Sequence, residues 1–161
     1  MKKYIILLLI LFIFSSISQA QELLPANKNV LDSIKSANKG KVILFNFWAT
    51  WCKPCVEEFP DLVKLNEKYK DSTFKIVFVS LDFGKALGEK TKAFLKKHDV
   101  DYTSYFNNFA KDEDLINYMD KNWEGSIPAT FIFDKAGVLK KSFIGKQKYD
   151  DFKKVVIKYL K

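Results

Sequence analysis

Blocks of apolar and polar residues alternate along the chain and predict helices and strands in turn. Residues 30–37 place apolar side chains at helical spacing, and Gly40 is a candidate for the C-cap of this helix. Val42–Trp48 is a short apolar run rich in strand-forming residues, which is typical of a buried strand. Residues 52–69 return to helical spacing, and Pro60 is expected to kink that helix.

The second half of the chain continues this alternation and ends in an amphipathic helix. We find no internal repeat and no second hydrophobic pattern, so one α/β domain is expected over residues 21–161. The predicted elements are a strand at 74–81, a helix at 86–97, a short strand at 102–106, a helix at 109–121, a hairpin of strands at 129–133 and 138–144 around a turn at 134–137, and a last helix at 149–160.

The first twenty residues have the composition of a secretory signal peptide. A basic start is followed by an unbroken apolar run at 4–14 and by Ser18-Gln19-Ala20, which fits a small-x-small cleavage site. A membrane-spanning helix needs about 20 apolar residues, and this run is much shorter. We therefore predict cleavage after Ala20 and a soluble periplasmic or otherwise extracytoplasmic protein. Retention of the segment as a membrane anchor is the alternative.

The charge pattern gives no indication of nucleic acid binding. The formal charge is +8, and removal of Lys2 and Lys3 with the signal segment leaves +6. All of the basic residues are lysines, whereas bidentate recognition of phosphate or guanine favours arginine. Because the lysines are scattered among acidic residues, we interpret them as a solvated surface with weak attraction for acidic partners.

Both cysteines of the chain lie in one Cys-x-x-Cys motif, Cys52-Lys53-Pro54-Cys55. Disulfides that staple a secreted domain usually join distant parts of the sequence. A ring of about four residues stabilises a fold by only about 2 kcal/mol, against about 4.7 kcal/mol for a ring of about 100 residues. The spacing therefore favours a chemical role over a structural one.

The position of this motif, between a strand and a helix, predicts the chemical role of each thiol. A helix N-terminus carries exposed N–H groups and partial positive charge, which lowers the pKa of a thiol placed there. Cys52 is therefore expected to be the exposed attacking thiol, and Cys55, three residues on, to resolve the mixed disulfide. Half of a zinc site is the other use of such a motif, but there is no second cysteine pair and His98 is the only histidine.

Two segments resemble the thioredoxin superfamily. Residues 47–55 are similar to its active-site signature, and residues 126–130 to its cis-proline loop. With the signal segment and Glu57-Glu58-Phe59-Pro60, the chain is most similar to the TlpA/ResA-like branch. The resemblance implies a thioredoxin-like fold, with a central mixed β-sheet flanked by helices and a TlpA-type insertion over 83–123, before the cis-proline loop.

The same resemblance implies a function outside the cytoplasm. Members of this branch are thiol–disulfide oxidoreductases that reduce client proteins, often in cytochrome c maturation. The resemblance also implies a membrane electron donor. We expect a monomer that needs no cofactor or metal.

The resemblance also assigns residues around the two thiols. Asn46 replaces the buried Asp that thioredoxin carries, and Glu58 is implied as the carboxylate that stands near the thiols. At about 100° per residue, Glu58 lies about 60° from Cys55 around the helix and Glu57 about 160°, so Glu58 is the predicted proton acceptor.

The substrate-binding residues predicted beside the thiols are Trp51, Ile127 and Pro128. The resemblance implies a cis bond before Pro128 and an Ile127 backbone that pairs with an extended client strand. Trp51, directly before Cys52, is predicted to lie partly exposed at the rim of the site.

A second hypothesis is a copper-binding chaperone of thioredoxin fold that uses Cys52, Cys55 and His98. His98 follows a helix whose last turn carries two lysines, so an ordinary cation at a helix end is the simpler interpretation. Stoichiometric copper after purification under reducing conditions would favour the chaperone.

Overall fold

The computed structural model describes residues 22–70 and 73–161, and the predicted signal segment lies outside them. A six-stranded sheet in the order β1-β4-β3-β2-β5-β6 forms the centre of the molecule. The strands are β1 (Leu23–Ala26), β2 (Val42–Trp48), β3 (Phe74–Ser80), β4 (Ser104–Asn107), β5 (Ala129–Phe133) and β6 (Leu139–Ile144). The helices are α1 (Lys28–Ala37), α2 (Lys53–Tyr69), α3 (Glu89–Lys97), α4 (Asp112–Met119) and α5 (Tyr149–Leu160), with a 3₁₀ turn at Gly84–Ala86.

The sheet is mixed, as the sequence predicts. Strands β1, β4, β3 and β2 run parallel, β5 pairs antiparallel with β2, and β6 pairs antiparallel with β5. Because β5 runs against its neighbour, it begins at the edge where the parallel strands end. Trp48 pairs with Ser80, and Phe47 with Ala129, at that edge. The segments that leave or enter the sheet there form the site described below.

Strand β2 is buried on both faces and divides the hydrophobic core in two. Val42, Leu44 and Trp48 pack with α2 and α5, whereas Phe45 and Phe47 pack with residues of α1 and α4 on the other face. Complete burial of an apolar side chain contributes about 1.5 to 3 kcal/mol, so this strand fixes the positions of the helices around it. The apolar run in the sequence, which only Asn46 interrupts, reflects burial from both sides.

Several predicted boundaries are wrong, and local chemistry explains two of the differences. The helix predicted at 86–97 is broken, because Gly88 has a φ of +100° and only Glu89 onward is α-helical. Asn38, not Gly40, is the C-cap of α1, and its backbone N–H donates to the backbone carbonyl of Ile34 at 3.1 Å. Helix α4 is also shorter than the prediction, and strand β1 was not predicted.

Three further expectations concern α2, the segment 83–123 and membrane crossing. Helix α2 continues through Pro60 as one element, and the kink stays a prediction. Segment 83–123 contributes β4 to the sheet between β1 and β3, and its status as an insertion also stays a prediction. Within residues 22–70 and 73–161, no helix combines the length and the apolar character that a bilayer crossing requires.

Candidate active site

Cys52 and Cys55 form a disulfide at the start of α2. Their Cα atoms are 5.3 Å apart and their sulfurs 2.05 Å. Cys52 is the N-cap residue, and its Sγ accepts the backbone N–H of Cys55 at 3.3 Å. Pro54 lies in the first helical turn, where its missing N–H costs no hydrogen bond. The sulfur of Cys52 therefore occupies the position where a helix stabilises negative charge.

Both sulfurs are enclosed in this oxidised form, which corrects the expectation of an exposed Cys52. Cys52 is 4% exposed and Cys55 1%. They belong to the same buried apolar cluster as Trp48 of β2 and Phe59 of α2. Trp51, by contrast, is 60% exposed directly before Cys52, as expected for a residue at the rim.

The Ile127–Pro128 bond is cis, as the resemblance implies. Pro128 directly precedes Ala129, which pairs with Phe47 close to the end of β2, and its carbonyl accepts the N–H of Gly145 at 2.8 Å. Ile127 packs against the cluster that contains both cysteines. Its own backbone N–H and C=O have no hydrogen-bond partner among residues 22–70 and 73–161.

Glu58 lies one turn after Cys55 on α2 and is only 2% exposed. Its Oε1 accepts a hydrogen bond from Asn46 Nδ2 at 3.2 Å, and its Oε2 accepts the backbone N–H of Gln147 at 2.9 Å. Burial raises the pKa of Glu58 from 4.5 to about 7, against the lowering effect of these two hydrogen bonds. The side chain can therefore take up or release a proton near neutral pH.

Asn46 positions this carboxyl group from β2. Its Nδ2 is shared between Glu58 Oε1 and Thr130 Oγ1, at 3.2 and 2.9 Å. Its Oδ1 is buried and has no hydrogen-bond partner among the described residues. Asn46 thus holds Glu58 in place without being able to exchange a proton itself.

The two neighbouring acids on α2 have different surroundings. Glu57 is exposed and pairs with Lys146 at 2.6 Å, and this ammonium lowers the pKa of Glu57. Asp61 accepts the backbone N–H of Tyr149 at 3.0 Å. Together with Glu58, these acids attach α2 to the loop that precedes α5. The sequence did not indicate this attachment, because the two segments lie 88 or 89 residues apart.

Asp82, which follows β3, is a buried residue of the site that the sequence analysis did not identify. Its Oδ1 accepts the backbone N–H of Thr50 at 3.0 Å and the Thr50 hydroxyl at 2.8 Å. Its Oδ2 accepts the hydroxyls of Ser80 and Thr91 at 2.8 and 2.7 Å. Asp82 therefore anchors the turn that leads from β2 to Cys52. Its only signal in the sequence is an acidic residue at the end of a buried strand.

His98 does not join the cysteines in a cluster. Its ring packs against Phe94 and Phe59, with centroids 4.4 and 5.5 Å away, and burial lowers its pKa. In the described part of the chain, no three His, Cys, Asp or Glu side chains are grouped so that they could hold a metal ion. The geometry gives no support to a copper site formed by Cys52, Cys55 and His98.

Comparison with known proteins gives a family for most of the chain. Residues 23–142 match the model of the AhpC/TSA family. The thioredoxin-like protein YneN of Bacillus subtilis is 35% identical over 109 residues, which are 66% of this chain and 58% of YneN. The thiol-disulfide oxidoreductase ResA of Bacillus cereus is 32% identical over 68% of this chain and 58% of ResA. The match thus spans less than two thirds of either curated relative.

A solved structure extends the likeness to the fold. The thioredoxin family thiol:disulfide interchange protein of Chlorobium tepidum superposes with a TM-score of 0.65 and 26% identity, over 79% of this chain and 85% of that one. The predicted thioredoxin-like fold is thereby confirmed.

Proposed function

The chain belongs to the AhpC/TSA family, and we propose that it is a thiol–disulfide oxidoreductase that reduces disulfides in client proteins through Cys52 and Cys55. One observation carries the proposal: the two cysteines form a disulfide at the N-terminus of α2, with Cys52 as the capping residue. A thiolate at that position is stabilised by the helix dipole and by the N–H of Cys55, which gives a nucleophile near neutral pH.

The reaction transfers two electrons from the dithiol to the client. The Cys52 thiolate attacks one sulfur of the client disulfide, and the other client sulfur leaves as a thiolate. Cys55 then loses its proton and attacks the Cys52 sulfur, which releases the second client thiol. The Cys52–Cys55 disulfide formed in this step is the state that the structure contains. A thiol donor must reduce it before the next cycle.

Glu58 is the proposed proton acceptor for Cys55. It lies one helical turn from Cys55, it is buried, and its pKa of about 7 allows proton exchange at working pH. Its hydrogen bonds from Asn46 and Gln147 fix the carboxyl group in place. Asn46 cannot substitute for Glu58, because an amide has no proton to exchange near neutral pH.

Trp51, Ile127 and Pro128 are the proposed client-binding residues next to the disulfide. The backbone N–H and C=O of Ile127 lack partners among the described residues, so an extended client segment can pair with them as an added strand. The exposed ring of Trp51, directly before Cys52, offers apolar contact to a client. Pro128 supports this edge, because its carbonyl is held by Gly145.

We extend the proposal to where the protein works. The predicted signal segment and the likeness to ResA support export and activity outside the cytoplasm. Cleavage after Ala20, a monomeric state, a membrane electron donor and a role in cytochrome c maturation belong to the same proposal. Mass analysis of the exported protein tests cleavage: a mature chain that begins at Gln21 is expected, and retention of residues 1–20 contradicts it.

A single-turnover assay tests the activity itself. The fully reduced protein is mixed with a neutral small disulfide such as hydroxyethyl disulfide, and loss of protein thiols is followed with time. We expect oxidation to the Cys52–Cys55 disulfide with release of two client thiols per chain. Cys52→Ser should abolish the reaction. A reduced wild-type protein that leaves the disulfide unchanged would exclude this function.

A further inference from the structure

We propose that a groove beside the redox pair binds an extended client segment that carries lysine or arginine close to its disulfide cysteine. The groove has a volume of about 530 Å³ and lies between the loop at Trp51, the end of β3, helix α4 and residues 123–125. This inference names the client chemistry of the proposed oxidoreductase, and so it rests on that function.

The groove is continuous with the candidate active site at two places. One wall contains Trp51, which directly precedes the capping Cys52. The opposite wall contains Gly125, two residues before Ile127. A strand rises about 3.3 Å per residue, so a client strand paired with Ile127 reaches the groove within a few residues of its reacting cysteine.

The groove presents apolar surface to solvent. Trp51 is 60% exposed and Phe83 75%, and they are two of the four large hydrophobic side chains that are exposed in the described part of the chain. Behind them, Leu115 and Trp123 are buried and form an apolar floor. Exposed aromatic side chains around such a floor are characteristic of sites that bind a partner.

The charged residues in the groove lining are all acidic. They are Asp82, Asp112 and Glu124, and the lining contains no lysine, although the whole chain has 27 lysines against 19 acidic residues. Asp82 is occupied by hydrogen bonds inside the protein. Asp112 and Glu124 are exposed, and Asp112 accepts only a 3.3 Å bond from the Asn107 amide. Their carboxylates complement a positively charged segment.

This preference is opposite to the one that the overall charge predicts. A protein with a net charge of +8, or +6 after loss of its signal segment, should attract acidic clients over long distances. Selection of basic segments therefore requires a local feature, and the acidic lining of the groove is such a feature. A preference for basic clients would therefore indicate the groove, whereas a preference for acidic clients would indicate attraction by the net positive charge of the protein.

The experiment compares three peptides that share one intrachain disulfide and differ only in two flanking residues, which are Lys, Gln or Glu. Fully reduced protein is mixed with each peptide at low ionic strength, and the rate constant of the single turnover is measured. We expect the Lys peptide to react at least about fivefold faster than the Glu peptide, with the Gln peptide between them. The difference should shrink at about 0.5 M salt, because salt screens exposed charges.

Two variants test whether the groove is responsible. Glu124→Gln and the double variant Asp112→Asn with Glu124→Gln should reduce the Lys-over-Glu preference to about twofold or less. Because Asp112 lies in the first turn of α4, where a carboxylate stabilises the helix, the single variant tests the groove without changing that helix. The control is Glu67→Gln with Asp101→Asn, which removes the same charge from exposed positions outside the groove and should keep the wild-type preference.

The outcomes separate this inference from the proposed function. Every variant should still reduce hydroxyethyl disulfide at the wild-type rate, because none of the substituted residues contacts the sulfurs. Equal rates for the three peptides, a preference for the Glu peptide, or an unchanged preference in Glu124→Gln and the double variant would overturn the groove inference and leave the oxidoreductase intact. A wild-type protein that reduces none of the disulfides would contradict both the groove inference and the proposed oxidoreductase function.

Discussion

Asp82 accepts two hydrogen bonds from Thr50, one from its backbone N–H at 3.0 Å and one from its hydroxyl at 2.8 Å. Thr50 lies two residues before Cys52, so this carboxylate connects the end of β3 to the turn that leads from β2 to Cys52. The same carboxylate also accepts hydroxyls from Ser80 and Thr91. One buried side chain thereby fixes three separate segments around the start of α2.

The first prediction concerns this anchor. Asp82→Ala leaves several buried donors without a partner, each at a cost of about 1 to 3 kcal/mol, so we expect a loss of about 3 kcal/mol or more in the free energy of unfolding. Urea unfolding at pH 7 measures the loss. Glu67→Ala, a change of an exposed carboxylate on α2, should stay within about 0.5 kcal/mol of wild type. A difference of that small size for Asp82→Ala would show that the four hydrogen bonds contribute little.

The second prediction separates the roles of the two thiols. In Cys55→Ala the mixed disulfide formed at Cys52 cannot be resolved, so this variant should accumulate covalent complexes with clients. Cys52→Ala should accumulate few, because Cys55 lies inside α2 and lacks the N-cap position that stabilises a thiolate. Non-reducing electrophoresis after acid quenching shows the complexes. Similar amounts in both variants would contradict the assignment of Cys52 as the attacking thiol.

The third prediction concerns the proton accepted from Cys55. Glu58→Gln removes the only group proposed to accept it and should slow single-turnover reduction about 10- to 100-fold, at the low end of general acid–base effects. For wild type, the rate should rise with pH through about 7, as Glu58 becomes a carboxylate able to accept the proton. Glu58→Gln should lose that rise.

Glu57→Gln is the matched control for this experiment. Glu57 is adjacent in sequence, but it is exposed and pairs with Lys146. Its variant should keep both the wild-type rate and the wild-type pH profile. Equal rates for wild type and both glutamine variants from pH 6 to 9 would assign Glu58 a purely structural role.

The fourth prediction is a pH dependence of stability caused by the same carboxyl group. The pKa of Glu58 is raised in the folded oxidised protein, so between pH 4.5 and about 7 the folded state binds more protons than the unfolded state. The contribution of Glu58 to stability should therefore fall as pH rises through this range, by about 3 kcal/mol in total, because each unit of pKa corresponds to about 1.36 kcal/mol.

Urea titrations of the oxidised protein at several pH values measure this contribution. The difference between wild type and Glu58→Gln should change with pH across the range, with the variant gaining relative stability toward pH 7. Glu57→Gln should not show that gain, because Lys146 lowers the pKa of Glu57. A difference between wild type and Glu58→Gln that stays constant from pH 4.5 to 8 would contradict the raised pKa.

The sequence predicts the central elements because their signals are local. Strand β2 is an apolar run interrupted only by Asn46. The Cys-x-x-Cys motif lies where that strand passes into α2, so both follow from neighbouring residues. Strand β1 does not have such a signal. It has four residues, one of them Pro25, and it becomes a strand only through parallel pairing with β4. Proline is tolerated there because β1 lies at the edge of the sheet.

The residues of the site likewise include some that neighbouring sequence predicts and some that only the fold brings together. Cys52, Cys55 and Glu58 share one helix, so their spacing could be worked out from 3.6 residues per turn. Asp82 and Gln147 could not be identified, because their partners at the site come from other segments of the chain. The fold alone brings Thr91 to Asp82 and the loop before α5 to Glu58. Contacts of this kind leave no periodic signal in a sequence.

The hydrogen bond between Gln147 and Glu58 has a consequence for the order of synthesis. The backbone N–H that binds Glu58 is made 89 residues after the carboxyl group itself. A ribosome therefore completes the Cys-x-x-Cys motif long before it completes the loop that encloses Glu58. The hydrogen bond from Gln147 can therefore hold the Glu58 carboxyl group only after nearly the whole protein has been made.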